Sequence, residues 1–107
     1  MFLARFSYDI LPADREKAVD LISQEVAAAR KQGLTARLLV PLTRPPGAAG
    51  LQFEVELVRL DQLDILRHQG FGNSEATADW ARRMSDILQC PPHVELLKVA
   101  EDARKPG

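Results

Sequence analysis

Two glutamates stand two residues apart in the run Leu51-Gln52-Phe53-Glu54-Val55-Glu56-Leu57. On a strand, residues two apart share one face, with roughly 6–7 Å between their backbones. Paired carboxylates at that spacing can move a proton, because in a closed cavity one of them can hold a raised pKa and act as a base. Arg5, two residues from Ser7 on the same parity of an earlier run, would oppose that rise and turn the pair into a salt-bridged structural feature. His68 is the third proton-transfer candidate, since imidazole is the side chain most easily recruited near neutral pH. Its place at the end of a short helical stretch is also what a helix dipole alone would favour. Catalytic candidates are therefore Glu54, Glu56 and His68. Binding candidates are Arg5, Tyr8, Gln52, Glu54 and Glu56, with Tyr8 a hydrogen-bond donor near the sheet edge.

Other chemistries lack their residues. The chain has no Gly-rich phosphate loop, no Ser or Cys nucleophile elbow and no metal-binding loop. His68 and His93 are 25 positions apart, with no i, i+4 spacing, so no metal site is expected; no cofactor is expected either. Cys90 is the only cysteine, which rules out an internal disulfide and suits a reducing compartment, here read as the cytoplasm. Fourteen basic residues against fifteen acidic ones leave no positive excess to attract nucleic acid. No apolar run approaches the ~20 residues that span a bilayer, and the start Met1-Phe2-Leu3-Ala4-Arg5 does not read as a secretory leader.

The elements that must hold these residues follow from periodicity. Phe2, Ala4, Phe6 and Tyr8 alternate with Leu3, Arg5, Ser7 and Asp9, which predicts a first strand with two unlike faces. Ala18, Val19, Ile22, Val26 and Ala29 recur at three- and four-residue spacing, predicting a helix over 13–32 that Pro12 opens and Gly33 closes. Residues 34–42 form a second strand, and Pro41 makes it an edge. The stretch 43–50, rich in Pro and Gly, is a turn-forming loop and the expected mobile segment. The strand from Leu51 runs to about Val58. Asp61 is expected to cap a short helix through His68, and Asn73 or Ser74 to cap another whose apolar stripe is Thr77, Trp80, Ala81, Met84, Ile87 and Leu88. Cys90-Pro91-Pro92 ends that helix, and a last strand covers 93–99, with the parity of its faces left open by an imperfect alternation.

The order strand, helix, strand, strand, helix, strand predicts one α+β domain over 1–100, with a frayed charged tail over 101–107. The fold is the ferredoxin-like βαββαβ arrangement, a four-stranded antiparallel sheet with both helices on one face. The uncovered face would carry Leu3, Arg5, Ser7, Gln52, Glu54, Glu56 and Val58, joined by Leu39, Leu97 and Val99. Apolar side chains mixed with paired charges on such a face are expected to form an interface with a second copy of the chain. The bland alternative is a solvated face with stray apolar residues.

Phe2-Leu3-Ala4-Arg5-Phe6, Phe53-Glu54-Val55-Glu56-Leu57, Trp80-Ala81-Arg82-Arg83-Met84 and Val94-Glu95-Leu96-Leu97, in this order of elements, resemble the dimeric α+β-barrel superfamily over the whole chain. Within it they look most like NIPSNAP-type domains. The resemblance implies a homodimer whose two sheets stack into a barrel, and a protein that is structural or binds a small organic molecule. Because the superfamily includes cofactor-independent monooxygenases, haem-degrading enzymes and isomerases, it also implies an alternative, turnover of a hydrophobic small molecule in a cavity between sheet and helices. Haem-degrading relatives pair a histidine and an aromatic, where this chain has His68 and Trp80, with a first-strand asparagine. This chain carries Arg5, Ser7 and Asp9 there.

Overall fold

Four runs turn an apolar face inward, two of them by strict alternation, and the computed structural model, which describes residues 1–43, 50–64 and 74–101, joins them into one antiparallel sheet. The strands are β1 (Phe2–Tyr8), β2 (Thr35–Leu39), β3 (Leu51–Leu57) and β4 (His93–Lys98), in the spatial order β2-β3-β1-β4. The first and third strands are thus central, and β2 is an edge, as its proline foretold; Pro41 itself lies two residues beyond the strand. Helices α1 (Arg15–Lys31) and α2 (Ser74–Ile87) complete the ferredoxin-like α+β fold.

Register decides which side chains meet. β1 pairs with β3 so that Arg5 lies opposite Glu54, and β2 pairs with β3 so that Arg37 lies opposite the same glutamate. β4 pairs with β1, setting Glu95 opposite Arg5, Leu97 opposite Leu3 and Val94 opposite Phe6. This settles the parity of the last strand. Val94 and Leu96 share the helix side with Phe6 and Ala4, while His93, Glu95 and Leu97 share the open side.

The core fills the helix side. Ala4, Phe6, Tyr8, Leu51, Phe53, Val55 and Leu57 from the sheet pack on Ala18, Leu21, Ile22, Val26 and Ala29 from α1 and on Met84 from α2. The Phe6 and Phe53 rings meet with centroids 5.5 Å apart at a tilt that aromatic quadrupoles favour. α1 is entered through a tight turn over Pro12–Asp14, and it ends with Gly33 N–H on the Arg30 carbonyl and Leu34 N–H on the Ala29 carbonyl. That double closure needs a left-handed residue, and Gly33 supplies it at φ +81°. A Cβ there would touch nothing within 4 Å, so only the backbone resists substitution. Gly33→Ala should cost about 1 kcal/mol in a urea titration, and Gly33→Asn clearly less, because asparagine tolerates this conformation better.

Some local expectations are corrected. α2 ends at Ile87, three residues before Cys90-Pro91-Pro92, where Leu88 bridges back to Ile10 and the Gln89 N–H bonds the Asp9 carbonyl. Asp61 does not cap the helical turn at 61–64. It already lies inside that turn and pairs with Arg59 at 3.2 Å, while Gln62 Oε1 accepts from the backbone N–H groups of Val58 and Arg59 at 2.7 and 3.0 Å. A glutamine reaching back over free amides does the cap's work with a longer side chain. The loop expected at 43–50 falls mostly, and His68, Asn73 and the tail over 102–107 wholly, outside the described residues.

Candidate ligand cavity

The candidate residues from the sequence separate onto two faces. Arg5, Gln52, Glu54 and Glu56 lie on the open side of the sheet; Tyr8, by its parity, lies beneath the helices.

On the open side Glu54 is a salt-bridged residue. One carboxylate oxygen accepts from Arg5 Nε and Nη2 at 3.0 and 2.8 Å, and the other accepts from Arg37 Nε at 3.1 Å and from Arg37 Nη2. Glu54 is only 2% exposed although it lies on the side of the sheet away from α1 and α2. Burial would raise its carboxyl, but the hydrogen bonds and charges of Arg5 and Arg37 outweigh burial and hold it below the ordinary carboxylate value. An acid held ionised this firmly is a poor proton acceptor, so Glu54 does not suit the base role. With Glu95 opposite Arg5, the signs across the sheet read Arg37, Glu54, Arg5, Glu95, plus and minus in turn. The next row holds Gln52 Nε2 donating to Ser7 Oγ at 3.4 Å. Gln52 and Ser7 also border a depression of about 540 Å³ of mixed character, with Asp9, His93 and Glu95 on one side and Leu39, Val40 and Pro41 on the other.

The larger cavity lies on the other side. About 710 Å³ opens between β1, β4 and the two helices, walled by Phe6, Tyr8, Trp80, Met84, Leu88 and Val94 and reached by Glu25 from α1. Such a volume suits a small organic ligand, and an apolar wall with few polar groups is what such sites share. The Tyr8 hydroxyl donates to Glu25 Oε2 at 3.4 Å. Burial pushes the Glu25 carboxyl up to about 7, against the opposing pull of the Tyr8 hydrogen bond. Burial likewise drives the Tyr8 phenol upward, helped by the charge and the hydrogen bond of Glu25. Tyr8 therefore stays a neutral donor, and Glu25 stands where it can either accept or hold a proton near neutral pH.

Trp80 serves as both anchor and wall. Its indole N–H donates to the Leu21 carbonyl, one turn before Glu25 on α1, which fixes the side of α2 that faces the cavity. Glu25 is the residue that the sequence reading missed. The signal was present, because Leu21, Glu25 and Ala28 lie on one face of a helix, and an acid at the boundary of an apolar stripe asks for an explanation. Among the described residues no group of three or more His, Cys, Asp or Glu side chains could hold a metal ion, and no helix is long and apolar enough to cross a membrane.

No family model matches the chain, and no curated protein matches it either. Solved structures do. One described as an antibiotic biosynthesis monooxygenase superposes with a TM-score of 0.71 at 17% identity, covering 94% of this chain and all of that one. Another, Rv0793 from Mycobacterium tuberculosis, gives 0.61 at 17% identity over 95% of both chains. At such identity the likeness establishes the shared ferredoxin-like α+β fold.

Proposed function

We propose that the protein is a homodimer, closed through the open sheet face into an α+β barrel, and that each subunit binds a hydrophobic small organic molecule between its sheet and its helices. The observation that carries the binding reading is the 710 Å³ cavity, whose wall of Phe6, Trp80, Met84 and Leu88 is interrupted by the Tyr8–Glu25 pair. Affinity in such a site comes from apolar burial, and orientation from the few polar atoms. Saturable, one-to-one quenching of Trp80, the only tryptophan, by a neutral apolar compound tests it. Replacing Ala28 in the cavity wall by Leu should weaken that quenching at least several-fold.

The dimer reading rests on the open face. Leu3, Leu39 and Leu97 sit there half-buried, and the alternating charges leave no net repulsion against a second copy. Val58, 78% exposed just past β3, continues the parity of that side. Sedimentation should give about twice the 11.9 kDa of one chain, and Val58→Asp should shift the protein toward monomer; a monomeric wild type would refute the barrel. The NIPSNAP-type motifs would fit such a dimer, and the single cysteine fits a cytoplasmic setting.

A second reading, a cofactor-independent monooxygenase or isomerase, is favoured by the carboxyl held at about 7 in an apolar site. In it Glu25 takes the substrate proton, replacing Glu54 as the base to test. The fold shared with a solved structure described as a monooxygenase supports it. Oxygen uptake with a panel of quinols is the assay. Turnover lost in Glu25→Gln, with Trp80 quenching by the same quinol retained, would establish the role.

A further inference from the structure

Glu25 enters the cavity as the only carboxylate in its described lining, which holds no lysine, arginine or histidine either. From β1 it meets the Tyr8 phenol; α2 brings Thr77, Trp80, Ala81, Met84 and Ser85, none of them charged; β4 brings Val94. The segment between them contributes one further titratable group, the Cys90 thiol at the rim. Glu54, by contrast, has two guanidinium partners on the opposite face of the sheet. Among the described residues, Glu54 is thus answered by cations and Glu25 by none, inside a space large enough for a ligand. A half-buried carboxyl in this setting is neutralised either by a proton or by a cation that arrives with the ligand. Three aromatic residues, Phe6, Tyr8 and Trp80, help wall the same space, and aromatic faces attract organic cations.

We infer that the molecule bound in this cavity is an organic cation, a protonated amine carried on an apolar body, whose ammonium group pairs with Glu25 while the aromatic walls flank it. This rests on the binding reading above and adds the charge of the ligand to it. The ammonium hydrogens bond the Glu25 carboxylate, and the Tyr8 hydroxyl holds the same carboxylate in place from behind. Binding then displaces the proton that burial keeps on Glu25, so affinity must rise with pH through the range in which Glu25 ionises.

Three probes of one shape separate the alternatives: 2-phenylethylammonium, 2-phenylethanol and phenylacetate, each titrated against Trp80 fluorescence excited where the phenyl group does not absorb. At pH 8 the ammonium probe should bind at least ~10-fold tighter than the alcohol, a difference of about 1.4 kcal/mol, and the carboxylate weakest of all. At pH 5 the gap between ammonium and alcohol should close. Glu25→Gln, which keeps the shape and can still accept from Tyr8, should bring the ammonium probe to the affinity of the alcohol while moving the alcohol less than about 3-fold. Equal binding of alcohol and ammonium at pH 8, or an ammonium preference that survives Glu25→Gln, would overturn the inference and leave a neutral-ligand cavity standing. If none of the three binds, the binding reading falls, and this inference with it.

Discussion

Glu54→Ala should destabilise the protein by about 2–3 kcal/mol at pH 7. Truncation removes the acceptor of two guanidinium groups at once and leaves two like charges facing each other across β3. Losing one member of a buried ion pair costs roughly 3–5 kcal/mol, because the surviving charge is left desolvated. Here the arginines are not fully buried, with side chains 32% exposed at Arg5 and 57% at Arg37, so each regains water and the cost falls below that range. The pH dependence has a definite sign. A carboxyl held below its ordinary value in the folded state contributes stability that is fully present above the ordinary value of 4.5 and is lost as pH falls through the lower folded value. Wild type and Glu54→Ala should therefore converge in acid. Urea titrations at fixed protein concentration check both points, and a difference under about 0.5 kcal/mol at pH 7 would mean that the triad behaves as a wet surface pair.

The second large effect runs the other way. Glu25→Gln should stabilise the protein by about 2 kcal/mol at pH 8 while leaving it unchanged near pH 4. The folded value of about 7 lies above the ordinary 4.5, so the native state binds more protons than the unfolded state between those limits. Wild-type stability must then fall as pH rises from 4.5 to 7 and level off beyond. A shift of this size corresponds to about 3 kcal/mol at most, at 1.36 kcal/mol per pKa unit, and partial exposure of Glu25 reduces it. Glutamine carries no charge to bury and can still accept from Tyr8, so its profile should stay flat over the same range. An acid whose burial lowers stability above pH 7 and which lines a cavity fits a site organised for something other than folding. A wild-type profile as flat as that of the variant would contradict an elevated Glu25.

The architecture was readable because β1 and β3 alternate strictly: Phe2, Ala4, Phe6 and Tyr8 against Leu3, Arg5 and Ser7, and Leu51, Phe53, Val55 and Leu57 against Gln52, Glu54 and Glu56. Parity alone put the acids and Arg5 on the open face. What parity cannot give is register, and register selected Glu54 over Glu56 as the partner of Arg5 and brought Arg37 from β2 as a second partner. β4 alternates poorly, and its faces became definite only through pairing with β1. Glu25 escaped notice for another reason. Helical periodicity is carried by the apolar residues of α1, and an acid on the boundary of that stripe stands out less than two carboxylates on a strand as regular as β3. Tyr8 was noticed without its partner, since the pair joins positions 17 apart on different elements.

Ligand-induced shifts in amide and indole NMR signals test the central claim most directly. The single tryptophan gives one indole resonance that needs no ambiguous assignment. On titration with 2-phenylethylammonium at pH 8, that resonance and the amides of Tyr8, Glu25, Met84 and Val94 should move together along one saturable curve. Shifts confined to Arg5, Gln52, Glu54 and Glu95, with the Trp80 indole unmoved, would put the ligand on the open face and contradict a site between sheet and helices.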